Sequence, residues 1–200
     1  MVSRKQSTAK VYQLRVELEG IVPPVWRRIV VPGSMTLPKL HDLLQLVMGW
    51  MDSHLHSFTI SNHTYSRSLE DGDLAEMKML DESRHTLVEL LGDSVTTFIY
   101  EYDFGDGWGH RIDIEAVMKP EPDRQYPLCL AAARAAPPED VGGVPGYQEF
   151  LDAIGTPDHE EHDSMLTWIG GAFDPAGFDL NTINRTLRFG VHPAIAKGWK

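Results

Sequence analysis

The stretch over residues 100–110 combines side chains that can do chemistry with glycines that bring them close together. Asp103, Asp106 and His110 supply two carboxylates and an imidazole, a set that suits acid–base catalysis or metal binding. Trp108 lies among them. A structural interpretation competes with this one, because aspartate side chains also hydrogen-bond turn backbone and a tryptophan can pack a turn down. Both interpretations place these residues at the tip of a hairpin.

A second candidate is the histidine pair formed by His54 and His56. Residues two apart share one face of a strand, and neutral imidazoles are common metal ligands. Local spacing fixes no third ligand. The competing interpretation is the polar face of a half-buried strand.

A third candidate is the segment over residues 137–143, which is rigid, then acidic, then glycine-rich. Two acids followed by two glycines suit a loop that approaches a ligand, but the segment lacks the pattern of a phosphate cradle. If the three regions converge, they form one binding surface. That candidate binding surface consists of His54, His56, Asp103, Asp106, Trp108, His110, Glu139, Asp140 and Tyr147.

Composition narrows the function classes. The 200 residues carry a net charge of −11, with only one cysteine, Cys129. One cysteine excludes an internal disulfide and a cysteine-rich zinc site. Residues 139–179 hold ten acids and neither Lys nor Arg, which disfavours nonspecific binding to nucleic acid. No apolar run approaches the ~18 residues of a membrane helix, and no secretory signal is visible. We therefore predict a cytoplasmic protein that binds no membrane.

Hydrophobic periodicity predicts the elements that position these candidates. Alternation predicts strands over residues 12–19, 25–31 and 55–60, and a hairpin over residues 96–117. Helical spacing predicts helices over residues 37–48, 87–91, 147–154, 157–169 and 180–189. Thr36 and Gly49 can begin and end the first helix, and Pro157 and Pro175 suit first helical turns. Residues 61–82 are predicted as a surface loop and residues 119–146 as a long irregular segment.

Strands come early in this order and helices come late. That order predicts an α+β fold with a mainly antiparallel sheet, packed helices and a helical C-terminal part. We expect a flexible N-terminus over residues 1–8, one domain over residues 9–190 and a tail over residues 191–200.

Several motifs in order resemble a known family. They are Met48-Gly49-Trp50, Ser53-His54-Leu55-His56 with Phe58, Tyr102-Asp103-Phe104-Gly105-Asp106 with Trp108 and His110, Pro137-Pro138-Glu139-Asp140 with Gly142-Gly143 and Gly146-Tyr147, and Gly170-Gly171 with Phe173-Asp174, Phe178-Asp179 and Asn184. Over about residues 9–190 the chain resembles the plasmid Ri ORF-3-like family, also described as the insertion-sequence passenger TnpR-like family. The resemblance implies an α+β fold and a link to plasmids and mobile elements in bacteria and archaea. Many relatives carry a second cysteine where this chain has Ala136.

The sequence and the resemblance favour a protein of unknown function that acts as a non-catalytic binding or accessory module without a cofactor. Its partner would be a protein or a specific DNA linked to mobile elements. The alternative is a metal-dependent, hydrolase-like enzyme. It would hold a divalent metal with His54, His56, Asp106 and His110, with Asp103 as a further ligand.

Overall fold

The computed structural model of the protein describes residues 9–67, 78–92 and 94–189. These ranges contain both strands and helices, which confirms the predicted mixture of α and β structure. The strands are β1 Val11–Leu18, β2 Trp26–Pro32, β3 His56–Ile60, β4 His63–Ser66, β5 Leu80–Asp81, β6 Thr97–Tyr102, β7 Trp108–Met118 and β8 Leu128–Ala133. The helices are α1 Leu37–Met48, α2 Leu87–Leu91, α3 Gly143–Gly155, α4 His162–Trp168 and α5 Leu180–Phe189.

The eight strands form one sheet in the order β5-β4-β3-β6-β7-β1-β2-β8. β4 and β5 pair in parallel, and the other neighbours pair antiparallel. In the β6–β7 hairpin, Tyr102 pairs with Trp108 and Tyr100 pairs with His110. This register fixes which side chains stand at the tip of the hairpin.

One side of the sheet and one stripe of α1 contribute to a shared core. The inward residues of β1 are buried: Tyr12, Leu14, Val16 and Leu18. The apolar stripe of α1 is buried as well: Leu37, Leu40, Leu43, Leu44 and Val47. All of these side chains belong to one hydrophobic cluster. The cluster holds the sheet and α1 together because it removes their apolar faces from water.

Three helices, α1, α2 and α5, have the bounds that the sequence predicts, and the ends of α1 and α2 show the local signals. α1 begins after Thr36, whose side chain makes no capping hydrogen bond, and ends at Gly49. Gly49 adopts a left-handed φ of 87° and donates its N–H to the carbonyls of Gln45 and Leu46, at 2.8 and 3.2 Å. α2 begins with a capping box between Thr86 and Glu89. Local signals were sufficient for both helices.

Two segments predicted as irregular contain strands. Residues 61–82 include β4 and β5, and residues 119–146 include β8 and the start of α3. β5 has only two residues, and it is recognisable only by its pairing with β4. β8 is rich in alanine, a residue depleted in strands, and it pairs with β2 through Arg27 and Ala132 among others. Both predictions were wrong because tertiary pairing outweighs the local composition.

α3 and α4 differ from the prediction at their starts, whereas α5 begins at Leu180 as predicted. α3 begins at Gly143, so Pro145 lies in its first turn. A first helical turn tolerates proline because the N–H that proline lacks would have no acceptor within the helix. α4 begins at His162, so Pro157 lies before the helix. Pro175 lies between α4 and α5. The expected role of both prolines in a first helical turn is therefore wrong.

Parts of the prediction fall outside the described residues. These are the N-terminus over residues 1–8, residues 68–77 of the predicted surface loop, and the tail over residues 191–200. Among the residues that the structure does describe, no helix is both long enough and apolar enough to span a membrane.

Candidate functional site

The hairpin tip is fastened by Asp103. This residue has a left-handed φ of 54°, and its Oδ1 accepts the N–H groups of Gly105 and Asp106 at 3.0 and 3.3 Å. The carbonyl of Asp103 accepts the N–H of Gly107 at 2.6 Å. One carboxylate oxygen therefore stabilises the turn, and Oδ2 points towards His54.

Asp106 joins the hairpin to the segment that leads into α3. Its Oδ2 accepts the N–H of Gly142 at 3.1 Å. The two backbones come so close that a Cβ on Gly143 would lie 2.6 Å from the carbonyl oxygen of Asp106. The carboxylate of Asp106 is thus used in a structural contact between elements.

Further hydrogen bonds hold the segment after α1 against the hairpin and Glu139. The indole N–H of Trp50 donates to the carbonyl of Pro137 at 2.9 Å. The N–H of Met51 donates to Glu139 Oε1 at 2.7 Å, and the Tyr102 hydroxyl donates to the same oxygen at 3.0 Å. Burial, followed by the charge of Glu139, raises the pKa of Tyr102, so its hydroxyl stays protonated. Three chain-distant segments therefore meet around one carboxylate.

At this junction four side chains form a cluster that we call the His54 site: His54, Asp103, Glu139 and Asp140. His54 Nε2 lies 2.9 Å from Asp140 Oδ1, 3.5 Å from Glu139 Oε2 and 3.6 Å from Asp103 Oδ2. His54 Nε2 is shielded from solvent, yet it forms no hydrogen bond with any of these three oxygens. The ligand atoms of His54, Asp103 and Asp140 all lie within 4.8 Å of one another. An imidazole with surrounding carboxylates is a donor set that divalent cations accept.

A second cluster lies on the other side of Tyr102, and we call it the stacked histidine pair: His41 and His56. Their rings are 3.5 Å apart with an interplanar angle of 8°. His41 Nε2 lies 2.9 Å from Asp52 Oδ1, and His56 Nε2 lies 3.0 Å from Glu82 Oε2. Each histidine therefore has its own carboxylate.

The hydrogen bonds of His41 indicate its protonation. Burial acts to raise the pKa of Asp52, but the hydrogen bond with His41 and the charge of Arg67 act against it, and the pKa of Asp52 is lowered. Asp52 is therefore an acceptor, and His41 Nε2 donates to it. His41 Nδ1 lies 2.8 Å from the Tyr100 hydroxyl, which accepts from Gln45 Nε2 at 3.1 Å. Tyr100 can thus donate to Nδ1, and burial lowers the pKa of His41, so the ring is neutral.

Comparison with known proteins places the chain in a family. Residues 10–182 match the family described as plasmid pRiA4b ORF-3-like protein. The chain belongs to that family. It is 39% identical over 182 residues to the uncharacterized protein y4hQ of Sinorhizobium fredii, with 90% of this chain and 91% of that protein covered. It is also similar to the crystal structure of a protein of unknown function, MM3350, from Methanosarcina mazei Go1. That likeness has a TM-score of 0.80 and 36% identity, and covers 88% of this chain and 98% of that one.

The structure brings together some of the residues predicted from the sequence and separates others. His54, Asp103, Glu139 and Asp140 meet in the His54 site. The remaining members of the candidate binding surface lie elsewhere: His56, Asp106, Trp108, His110 and Tyr147. The alternative ligand set of His54, His56, Asp106 and His110 is not assembled, because each of these side chains faces different partners.

Three of the separated residues are part of the core. Trp108 and Tyr147 are each 1% exposed, and His110 is fully buried. Tyr147 packs beside Phe150 and Phe173. These aromatic side chains stabilise the elements that carry the site and do not present a surface to a ligand.

As site residues, sequence reasoning missed His41 and three hydrogen-bond partners of the two clusters: Asp52, Glu82 and Tyr102. His41 follows Leu37 by four positions, so it lies on the buried face of α1, and a polar residue on that face was a usable signal. Glu82 lies in a segment predicted as loop and carries no local signal. Its pairing with His56 depends on the β4–β5 contact.

Proposed function

We propose that the protein is a non-catalytic binding module that holds a divalent cation at the His54 site. One observation carries this proposal: a shielded imidazole nitrogen without a hydrogen bond faces oxygens of three carboxylates at 2.9–3.6 Å. An ion about 2.1 Å from two ligand atoms separates them by about 3.0 Å in octahedral and about 3.4 Å in tetrahedral coordination. The spacing in the His54 site agrees with these values.

The electrostatics of the site support a cation. Three carboxylates repel one another, and the nearby donors, the Tyr102 hydroxyl and backbone N–H groups, already serve Glu139 Oε1 and Asp103 Oδ1. Asp103 and Asp140 both adopt left-handed backbone conformations, with φ of 54° and 59°. Such conformations are uncommon outside glycine and often occur at functional sites. A bound cation would offset the repulsion and hold the two strained residues together.

The test uses untagged protein stripped with a chelator and titrated by calorimetry with Zn²⁺, Mn²⁺ and Mg²⁺ in turn. We expect one ion per chain for at least one metal. His54→Gln and Asp140→Asn should each weaken binding by about tenfold or more, since each removes a ligand. His63→Gln is the matched control, because His63 is an exposed histidine outside the cluster. Stoichiometric binding that survives both site variants would contradict the proposal, as would no binding of any of the three metals.

A second candidate function, metal-dependent hydrolysis, is favoured by the exposure of the site. The side chains of Asp140 and His54 are 68% and 30% exposed, so a bound ion would be reachable by water. A metal-bound water is a potent nucleophile near neutral pH. Metal-dependent turnover of a phosphate ester that His54→Gln abolishes would establish this function. No turnover by fully loaded protein would leave the binding role.

The accessory role linked to mobile elements, in the cytoplasm, remains part of the proposal. It is supported by the family description, which refers to a plasmid. With a net charge of −11, such a protein would recognise a protein or a specific DNA sequence, because nonspecific attraction to phosphate is disfavoured. Selection from random duplex DNA and capture of partners from the native host test the two options. A protein that binds neither, with and without metal, would contradict this role.

A further inference from the structure

A cavity of about 360 Å³ opens beside the stacked histidine pair, and we call it the Asp42 pocket. Residues of α1, β3, β5 and the ends of neighbouring strands form its wall. They are Pro38, His41, Asp42, His56, Arg67, Asp81, Glu82 and Ser83. The pocket shares no residue with the His54 site. Its volume lies at the small end of the ~300–1,000 Å³ typical of ligand sites.

The charges of the wall are unevenly paired. Arg67 Nη1 lies 3.5 Å from Asp52 Oδ2, so the guanidinium of Arg67 already forms an ion pair with a carboxylate. Asp81 accepts the N–H and the hydroxyl of Ser83 at 2.8 and 2.7 Å. Within the described ranges, both oxygens of Glu82 face one side-chain donor, His56 Nε2.

Asp42 has no such partner. Its carboxylate makes no hydrogen bond or ion pair with any residue of the described ranges, although the residue is partly buried. Burial, and next the negative charge of Asp52, raise the pKa of Asp42 to about 6. A carboxylate that is partly desolvated and lacks a donor is unfavourable, and a bound cation would relieve it.

The stacked histidine pair argues against a metal ion as the occupant. The lone pair of an imidazole nitrogen lies in the ring plane, so a ligated ion lies close to that plane. The ligand atoms of His41, Asp52 and His56 lie within 4.8 Å of one another, but the rings are nearly parallel with centroids 3.5 Å apart, so one ion would lie out of the plane of at least one ring. Both Nε2 atoms are also engaged with carboxylates.

We propose that the Asp42 pocket binds a small organic cation with N–H donors, an ammonium or a guanidinium group, whose hydrogen bonds Asp42 and Glu82 accept. Charge-assisted hydrogen bonds from such a group to a carboxylate are stronger than neutral ones. The cation can be a free amine or the side chain of a peptide, and the two sources present the same chemistry to the pocket.

The experiment titrates chelator-treated full-length protein with n-butylammonium and n-butylguanidinium by calorimetry at pH 7.5 and low salt. We expect saturable binding of at least one of them, and at least tenfold weaker binding by Asp42→Asn. Tetramethylammonium, which has no N–H donor, should bind at least tenfold more weakly. Asp158→Asn is the control, because Asp158 is an exposed acid outside the pocket. Thermal melts confirm that each variant is folded.

Two further probes, Nα-acetylated lysine and arginine methylamides, distinguish the sources. Tighter binding of these probes assigns the cation to a peptide side chain, and weaker binding assigns it to a free amine. The proposal is overturned if neither butyl cation binds saturably, if tetramethylammonium binds equally well, or if Asp42→Asn retains full affinity. Since no metal is present, these outcomes are independent of the His54 site.

Discussion

At the scale of single residues, His110 shows how the fold keeps an imidazole neutral. The ring is edge-on to Trp50 at 5.3 Å and lies 5.2 Å from the ring of Tyr100. Its Nδ1 donates to the carbonyl of Tyr100 at 3.3 Å, and its Nε2 has no hydrogen-bond partner in the part of the chain that the structure describes. Burial lowers the pKa of His110 to about 4. The side chain therefore acts on stability and is shielded from any ligand.

This shift predicts a loss of stability in acid. An unfolded histidine takes up a proton near pH 6.5, but folded His110 resists protonation until about pH 4. The unfolded state binds more protons in that window, so the free energy of unfolding falls as the pH falls, by up to about 3 kcal/mol at pH 4. Urea unfolding of wild type and His110→Gln at pH 8 and pH 4 measures the effect. We expect the variant to lose about 3 kcal/mol less than wild type over this range, and equal losses would contradict the assignment.

The residues of the His54 site could be named as candidates from the sequence, but the sequence did not show which of the candidates meet in one cluster. His54, Asp103, Glu139 and Asp140 were all named as candidates from their chemistry. The expectation that His54 shares a strand face with His56 failed because β3 begins at His56 and leaves His54 in the preceding loop. The loop position of His54 and the strand position of His56 thus give the two imidazoles different carboxylate partners.

At the scale of elements, the contact between the hairpin tip and the start of α3 depends on a glycine. Gly143 has a φ of 68°, and the carbonyl of Asp106 occupies the space that a side chain would need. Gly49 also has a left-handed φ, of 87°, but no atom lies within 4 Å of its absent Cβ. A comparison of substitutions at these two glycines therefore distinguishes the cost of backbone strain from the cost of a steric clash.

We predict that Gly143→Ala destabilises the protein more than Gly49→Ala. Gly49→Ala adds only the strain of a left-handed alanine, about 1 kcal/mol. Gly143→Ala adds the same strain and pushes the hairpin away from α3, so its cost should exceed that value by at least about 1 kcal/mol. Denaturant midpoints of the two variants give the comparison. Equal destabilisation would show that the contact with Asp106 is easily relaxed.

Elements with signals inside their own residues were predictable. α1 and the β6–β7 hairpin follow from apolar spacing and from glycines at their ends. β5 and β8 were missed because only a partner strand makes them strands. The start of α3 was misplaced because Pro145 looked like part of a loop although a first helical turn tolerates it.

At the scale of the whole molecule, the His54 site joins parts of the chain that are far apart in sequence. His54 follows α1, Asp103 ends the first strand of the hairpin, and Asp140 precedes α3. No local pattern reports such a convergence, which requires the strand order of the complete sheet. A cation at this point would link three segments of the folded state and find no such arrangement in the unfolded chain.

We therefore predict that the cation raises the melting temperature. At a free concentration of 100 times its dissociation constant, a ligand that binds only the folded state adds about 2.7 kcal/mol. Scanning calorimetry of stripped protein, with and without the metal that binds most tightly, measures the change. His63→Gln should show the full increase and His54→Gln little or none. An increase of equal size in both variants would place the stabilising ion elsewhere.

The position of β1 has a consequence for synthesis. β1 pairs with β2 on one side and with β7 on the other, so Val11–Leu18 is completed only by residues 110–118. When the chain leaves the ribosome, the β1–β2 ribbon exists long before β7 arrives, and one edge of β1 stays open during that interval. Open edges are where chains pair wrongly. Arg15 and Glu17 place charged side chains on β1, and we expect a nascent chain that ends before residue 110 to be prone to aggregation through the open edge of β1.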